Sequence, residues 1–248
     1  MDAVHRPYPP PESSHVMHQT WHDLLFMHWR VPVETLRRHI PPALPIDTFD
    51  GAAWIGVVPF RMSGVRPRFL PALPWLSAFP ELNVRTYVTL DNHPGVWFFS
   101  LDAGNLVAVW IARAWFKLPY FNADMRVMQR GQGCIHYISR RTHRGAPPAE
   151  FVADYRPTGD AFDALPGSLE YFLTARYCLY TADRHGRIFR AEIDHPPWPL
   201  QPAEAEIMCN SMTDWIGVRL PDDRPLLHFS RRIDMVAWTL RPVSQSAS

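Results

Sequence analysis

The chain has 248 residues, 47% of them hydrophobic and 13% aromatic, with ten Trp and fourteen Phe. So much apolar surface can offset the entropy of ordering a chain of this length, which excludes a largely disordered polypeptide. A formal net charge of +1, from 25 basic and 24 acidic residues spread along the chain, leaves no electrostatic footprint for nucleic acid or an anionic membrane, so neither partner is expected.

Residues 1–19 read as a flexible, Pro-rich lead-in. MDAVHRPYPPPESS lacks the basic start and following apolar run of a secretory signal. From Trp21 to Arg30 the segment WHDLLFMHWR predicts a short helical turn running into a strand. Pro32 then opens a short amphipathic helix, VETLRRHI, which Pro41 and Pro42 stop. Asp50-Gly51 is a turn signal before AAWIGVVPFRM, an apolar run that fits a strand covered on both faces. The four prolines of SGVRPRFLPALPWLSAFP predict an irregular surface loop, of a length often found at the rim or lid of a site; whether Arg66 to Pro80 closes over anything is not decided by the sequence.

Glu81 to Leu90 predicts a strand with Glu81, Asn83, Arg85 and Tyr87 on one face and Leu82, Val84, Thr86 and Val88 on the other. After the DNHPG turn, Val96 to Leu101 pairs back as a hairpin. NLVAVWIARAWF places Leu106, Val109, Trp110 and Ala114 at helical spacing, ending before Pro119. Strands resume at Ala123 to Arg130 and Cys134 to Arg141. A second helix covers SLEYFLTARY, and YCLYTA and RIFRAEID form a hairpin. Ala203 to Met212 is expected to be helical, Leu226 to Leu240 to supply one or two closing strands, and 243–248 to be a flexible tail.

No apolar stretch approaches the roughly 20 residues of a membrane span. Cys134, Cys178 and Cys209 are far apart and form no CxxC pair, which suits reduced thiols in a cytoplasmic protein. His15, His18 and His22 have spacings that meet one metal on a helix, yet no acidic partner set completes the ligands, so no metal is expected. There is no GxGxxG, phosphate-binding GKS/GKT or nucleophile-elbow pattern, and no cofactor is expected. Homo-oligomerisation is compatible with the sequence, which does not decide it.

Many strands, few helices and polar strand faces that cannot all meet bulk water predict an α+β, mostly β fold built on a closed sheet. A small barrel with a polar interior must pair its charges internally or hold a ligand.

The segments LLFMHWRVPVETLRRHIPPALPIDTFDGAAWIGVVPFRM, FPELNVRTYV, ARAWFKLPYFNADM, LEYFLTARYCLYT and HPPWPL together resemble the YqjF-like family of unknown function, over roughly residues 20 to 240. That family is similar to acetoacetate decarboxylase. The resemblance implies one cone-shaped mixed β-barrel domain over residues 20–242, with peripheral helices and a central pocket. The decarboxylase forms an imine on one lysine whose pKa is lowered by a second; the pair follows a proline at a helix end. Setting Pro119 on that proline puts Tyr120 and Phe121 where the lysines would be, so the resemblance implies the fold without the imine. It also implies an acidic pocket residue at Glu81.

Glu81, Asn83 and Arg85 share a strand face that suits an organic acid. Arg85 would grip a carboxylate, Asn83 orient a carbonyl, and Glu81 act as acid or base if burial raises its pKa. An internal ion-pair ladder without ligand is the alternative. Tyr120 is a hydrogen-bond donor to ligand or a packed aromatic. Arg176 neutralises pocket carboxylates or caps a helix dipole, and His195, on the stiff HPPWPL turn, is a proton-transfer candidate or a plain loop histidine. Lys117, the only lysine in the chain, is a catalytic amine from a shifted register or a solvated cation. The expected partner is a small carboxylated or carbonyl-bearing molecule; a lyase using Lys117 and a non-catalytic scaffold are the competing readings.

Overall fold

Buried strands need a hydrogen-bond partner on each edge, and here the sheet meets that need by closing on itself twice. A computed structural model of the protein describes residues 5–73 and 76–243, without the side chains of 108, 111, 112, 114 and 115. Its elements are β1 (Met17–Val31), α1 (Val33–Arg37), β2 (Ala53–Pro67), β3 (Phe79–Leu90), β4 (His93–Ala103), α2 (Leu106–Phe116), β5 (Tyr120–Gln129), β6 (Ile135–Arg141), β7 (Glu150–Pro157), α3 (Leu169–Thr174), β8 (Cys178–Ala182), β9 (Ile188–Asp194), β10 (Gln201–Asn210), β11 (Leu226–Ala237) and β12 (Arg241–Pro242).

The strand order is β12-β9-β8-β4-β3-β2-β1-β11-β10-β7-β6-β5, with further pairings β9–β11 and β4–β5. Those extra pairings make two rings on one wall, β4-β3-β2-β1-β11. One ring returns through β9 and β8. The other is a nine-stranded barrel that returns through β10, β7, β6 and β5. Most pairs are antiparallel, while β4 runs parallel to both β5 and β8. The expected fold class, a closed mixed barrel with few helices, is what forms. No helix among the described residues is long and apolar enough to cross a membrane.

Because the shared wall is covered on both faces, period-two alternation sends alternate side chains into different rings. Leu25, Met27, Val57, Leu82 and Val84 join Tyr137, Phe151, Tyr155 and Phe229 in the core that fills the nine-stranded barrel. Leu24, Phe26, Val58, Phe60 and Met62 point the other way. This double burial explains why the helical turn expected at Trp21 is absent. Leu24, Leu25, Phe26 and Met27 are all buried in strand β1, so their run lacks a half-buried strand's alternation. Asp23 sits at φ 52 where the β1–β2 register shifts, and it pairs with Arg61 and Arg231.

Further differences from expectation have physical causes. The helix expected over Ala203 to Met212 is strand β10. Its Ala, Glu and Met favour helix locally, yet pairing with β7 and β11 prevails, and Glu204, Glu206 and Met208 alternate outward. Strand β7 was not anticipated. Strand β2 runs on through Ser63 to Pro67, so the loop is shorter than Arg66 to Pro80; Pro74 and Trp75 within it lie outside the described residues. Helix α2 forms where its spacing predicts, but only Val109 of Leu106, Val109 and Trp110 turns inward, and Trp110 is 71% exposed. Ala114 is outside the described side chains. Of the segment expected as a flexible lead-in, 1–4 lie outside the described residues and the rest is fastened. Buried Arg6 donates to Ile193 O (2.7 Å) and pairs with Asp194 and Glu192 (3.1 Å each), and β1 already starts at Met17. Of the expected tail, 244–248 lie outside the described residues.

A buried ion pair spans the nine-stranded barrel from β6 to the shared wall. Arg141 of β6 holds Asp102 of β4 through two hydrogen bonds of 2.6 and 2.7 Å, with its guanidinium 4.1 Å from the Phe121 ring centre. Removing one partner leaves a buried charge uncompensated. Arg141→Leu should therefore lower unfolding free energy by about 3–5 kcal/mol, and Asp102→Asn in the same chain should restore part of it. Urea denaturation of the two variants checks this.

Candidate functional site

Strand β3 lies between β2 and β4, so its side chains have only the two ring interiors to occupy. Glu81 sits opposite Phe60, Asn83 opposite Val58 and Arg85 opposite Gly56 on β2. All three face away from the filled barrel and line a cavity of about 540 Å³ bounded by the wall, β8 and β9. Leu70, Pro71, Leu73 and Leu76, from the loop between β2 and β3, line the end where β3 begins.

Glu81 is buried, and β5 brings Tyr120 to it by pairing Tyr120 with Leu101 of β4. The Tyr120 hydroxyl donates to Glu81 Oε2 at 2.9 Å. Behind the strand, Tyr137 Oη lies 2.7 Å from Glu81 O and 3.1 Å from Phe60 O, which pins the backbone from the filled side. Burial pushes the Glu81 carboxyl up to about 8; the Tyr120 hydrogen bond works against that rise and nearby Asp102 adds to it. The Tyr120 phenol is held well above its ordinary value by burial and by the same carboxyl. Glu81 can therefore take up or release a proton near neutral pH, while Tyr120 stays protonated and holds the carboxyl in place.

Asn83 Oδ1 and Arg85 Nε are buried and have no hydrogen-bond partner among the described residues. No carboxylate among the described residues lies within ion-pair distance of Arg85. Its guanidinium instead sits 5.1 Å from the Phe26 ring centre and 5.8 Å from that of Tyr87. Arg176 also lines the cavity, but its charge is matched by Asp47 at 2.6 Å and its Nε donates to Phe172 O at 2.6 Å. His195 lines the cavity too. Its Nδ1 lies 2.7 Å from Pro196 O, its ring stacks on Tyr177 at 4.7 Å, and burial pushes the imidazole down to about 4. It is a neutral, packed histidine at pH 7.

The fold thus gathers Glu81, Asn83, Arg85, Tyr120, Arg176 and His195 around one hollow, and it does not bring Lys117 there. Lys117 is exposed at φ 50, with Nζ 5.4 Å from the Phe189 ring centre, on a separate open groove shared with Arg113 and Arg187. His18 and His22 lie on strand β1, so helical spacing does not apply to the histidines; His22 meets Ser63 at 2.7 Å, while His15 and His18 are 2.9 Å apart. Sequence reasoning missed Gln19, Arg66 and Cys178 in the lining. Gln19 and Arg66 fell in segments read as lead-in and loop. Cys178 was read only as a buried thiol, and burial pushes it up to about 11, away from the reactive thiolate.

Comparison with known proteins agrees with this architecture. The family model DUF2071, an uncharacterized conserved protein, matches residues 18–234. The chain is 47% identical over 231 residues to the uncharacterized protein YqjF of Bacillus subtilis (strain 168), covering 93% of this chain and 94% of that one. Among solved structures it is similar to the enduracididine biosynthesis enzyme MppR complexed with pyruvate (TM-score 0.62, 13% identity, 97% of this chain and 93% of that chain). It is likewise similar to an acetoacetate decarboxylase (TM-score 0.62, 12% identity, 95% and 92%). At such identities the likeness shows the fold alone.

Glu81 gives the site a pH signature. Its folded pKa lies above its unfolded value, so the native state holds an extra proton between about pH 4.5 and 8, and stability should fall as pH rises through that window. Glu81→Gln should remove this slope. Tyr120→Phe, which deletes a hydrogen bond to the ionised carboxyl, should push the Glu81 pKa higher still. Unfolding midpoints measured from pH 4 to 9 in the three proteins check both statements.

Proposed function

The chain belongs to the DUF2071 family of uncharacterized conserved proteins, and on that premise we propose that it binds a carboxylate- or carbonyl-bearing metabolite in the cavity along β3. Any chemistry there is proton transfer by Glu81, held in place by Tyr120, without a Schiff base. The working unit in this reading is the barrel over residues 20–242, in the cytoplasm.

One observation carries the proposal. A guanidinium buried in a cavity wall costs several kcal/mol unless a counter-charge or hydrogen bonds compensate it. Arg176 has Asp47; Arg85 has aromatic faces and a hydrogen bond with Tyr87 but no carboxylate, and its buried Nε has no partner among the described residues. A ligand carboxylate supplies what Arg85 lacks, and Asn83 Oδ1 beside it accepts from a ligand hydroxyl or amide. MppR, which shares the fold, has been solved with pyruvate, and this supports a keto acid as the starting chemical class.

The absence of imine chemistry is supported by two placements. Tyr120, at the position where the family resemblance puts a lysine, is engaged by Glu81, and Lys117 stands outside the cavity. A scaffold without ligand would be expected to fill its interior with its own side chains; the nine-stranded barrel does so, whereas the hollow beside β3 keeps about 540 Å³.

Two outcomes are expected. Isothermal calorimetry with short carboxylates and keto acids should show binding that weakens by about tenfold to a hundredfold in Arg85→Gln, matching the roughly 1.5–3 kcal/mol of a charge-assisted hydrogen bond; equal affinities in the two proteins would remove Arg85 from the site. Borohydride treatment with pyruvate or acetoacetate should leave no adduct on Lys117 by mass spectrometry.

A further inference from the structure

Resting on the carboxylate reading above, we propose that the ligand class is an amphipathic monocarboxylic acid, its carboxylate on Arg85 at the inner end of the cavity and its apolar tail directed toward the loop between β2 and β3. An oxygen function along the ligand's length meets Asn83 and the Glu81–Tyr120 pair.

The orientation follows from β3 itself. The strand enters from the loop at Phe79 and carries Glu81, Asn83 and Arg85 progressively away from it. Four residues of strand, about 13 Å at 3.3 Å per residue, separate Glu81 from Arg85, so an extended ligand reaches both. Arg85 has room at the far end because Gly56 lies opposite. A Cβ there would come within 3.1 Å of His28 and 3.4 Å of Arg85 Cγ.

The walls decide the rest. Beyond the polar row the lining is dominated by apolar side chains, among them Trp21, Phe60, Met62, Phe79, Leu118 and Trp198. A cavity of about 540 Å³ falls within the 300–1,000 Å³ typical of sites that enclose drug-sized ligands, and a three- or four-carbon acid would leave most of that apolar wall untouched. In the polar row at the inner end Arg85 is the charge without a carboxylate partner among the described residues, which fits one carboxylate there; Arg66, also in the lining, bonds its own Gly64 O. At the other end, Leu70 and Leu73 face both the cavity and solvent, and neighbouring Phe69 is 88% exposed. An apolar path therefore runs from the surface to the interior.

The test is a homologous series of straight-chain carboxylates from propionate to decanoate, with the matching alkanols, titrated against the full-length protein. Affinity should rise by about threefold to fourfold per methylene, as for burial of CH₂ groups, until the cavity is filled, and each acid should bind more tightly than its alkanol. Leu73→Glu, at the apolar path, should flatten the gain for the longer acids while sparing propionate. Arg85-dependent binding of short acids with no gain along the series would overturn this inference and leave the carboxylate site standing. Failure of every acid to bind would overturn both. Alkanols binding as tightly as acids would show an apolar pocket without the charged anchor, and would equally overturn it.

Discussion

The burial of Arg85 in a sheet that closes around it is the constraint on which the rest of the structure depends. A guanidinium cannot be deprotonated to escape the cost of leaving water. The fold therefore surrounds it with partial compensation, the π faces of Phe26 and Tyr87, and leaves Nε free of any partner among the described residues. Such a residue is tolerated where the backbone carrying it is held firmly, and β3 is paired along both edges.

The second ring gives that wall its stiffness. On the far side of the shared strands, Tyr155 donates to Asp23 O at 2.9 Å and Tyr137 reaches Glu81 O, so core side chains bond directly to the backbone beneath the site. Close packing resists small displacements. One ring is thus a filled support and the other a lined hollow, and alternation along a single strand serves both: Leu82 and Val84 face the support, Glu81, Asn83 and Arg85 the hollow. The same arrangement suppresses water around the Glu81 carboxyl, which is why burial rather than a neighbouring charge dominates its raised pKa.

How much of this was legible in the sequence depended on local signal. The alternation of ELNVRTYV is readable because its two faces differ in polarity, and it yielded the polar row in full. Tyr120, Arg176 and His195 were reached through a helix end and a stiff proline turn. The closed sheet could be argued from the shortage of helices and from a family resemblance. What was not legible lies where both faces of a strand are buried, as for Leu24 to Met27, or where composition favours one structure and pairing imposes another, as in β10. Lys117 was conspicuous as a lone lysine, yet composition says nothing about direction. Its position on the outside follows from the turn after α2, which carries it at positive φ. That Arg176 is matched and Arg85 is not could not be read at all, because Asp47 meets Arg176 across 129 residues of chain.

The most direct measurement is a crystal structure of the protein soaked with a medium-chain carboxylate. The account predicts the carboxylate within about 3 Å of the Arg85 guanidinium, with the chain running past Asn83 and Glu81 toward the loop. A carboxylate bound only on the outer surface, or an Arg85 side chain turned to solvent with the hollow beside β3 filled by its own neighbours, would contradict it.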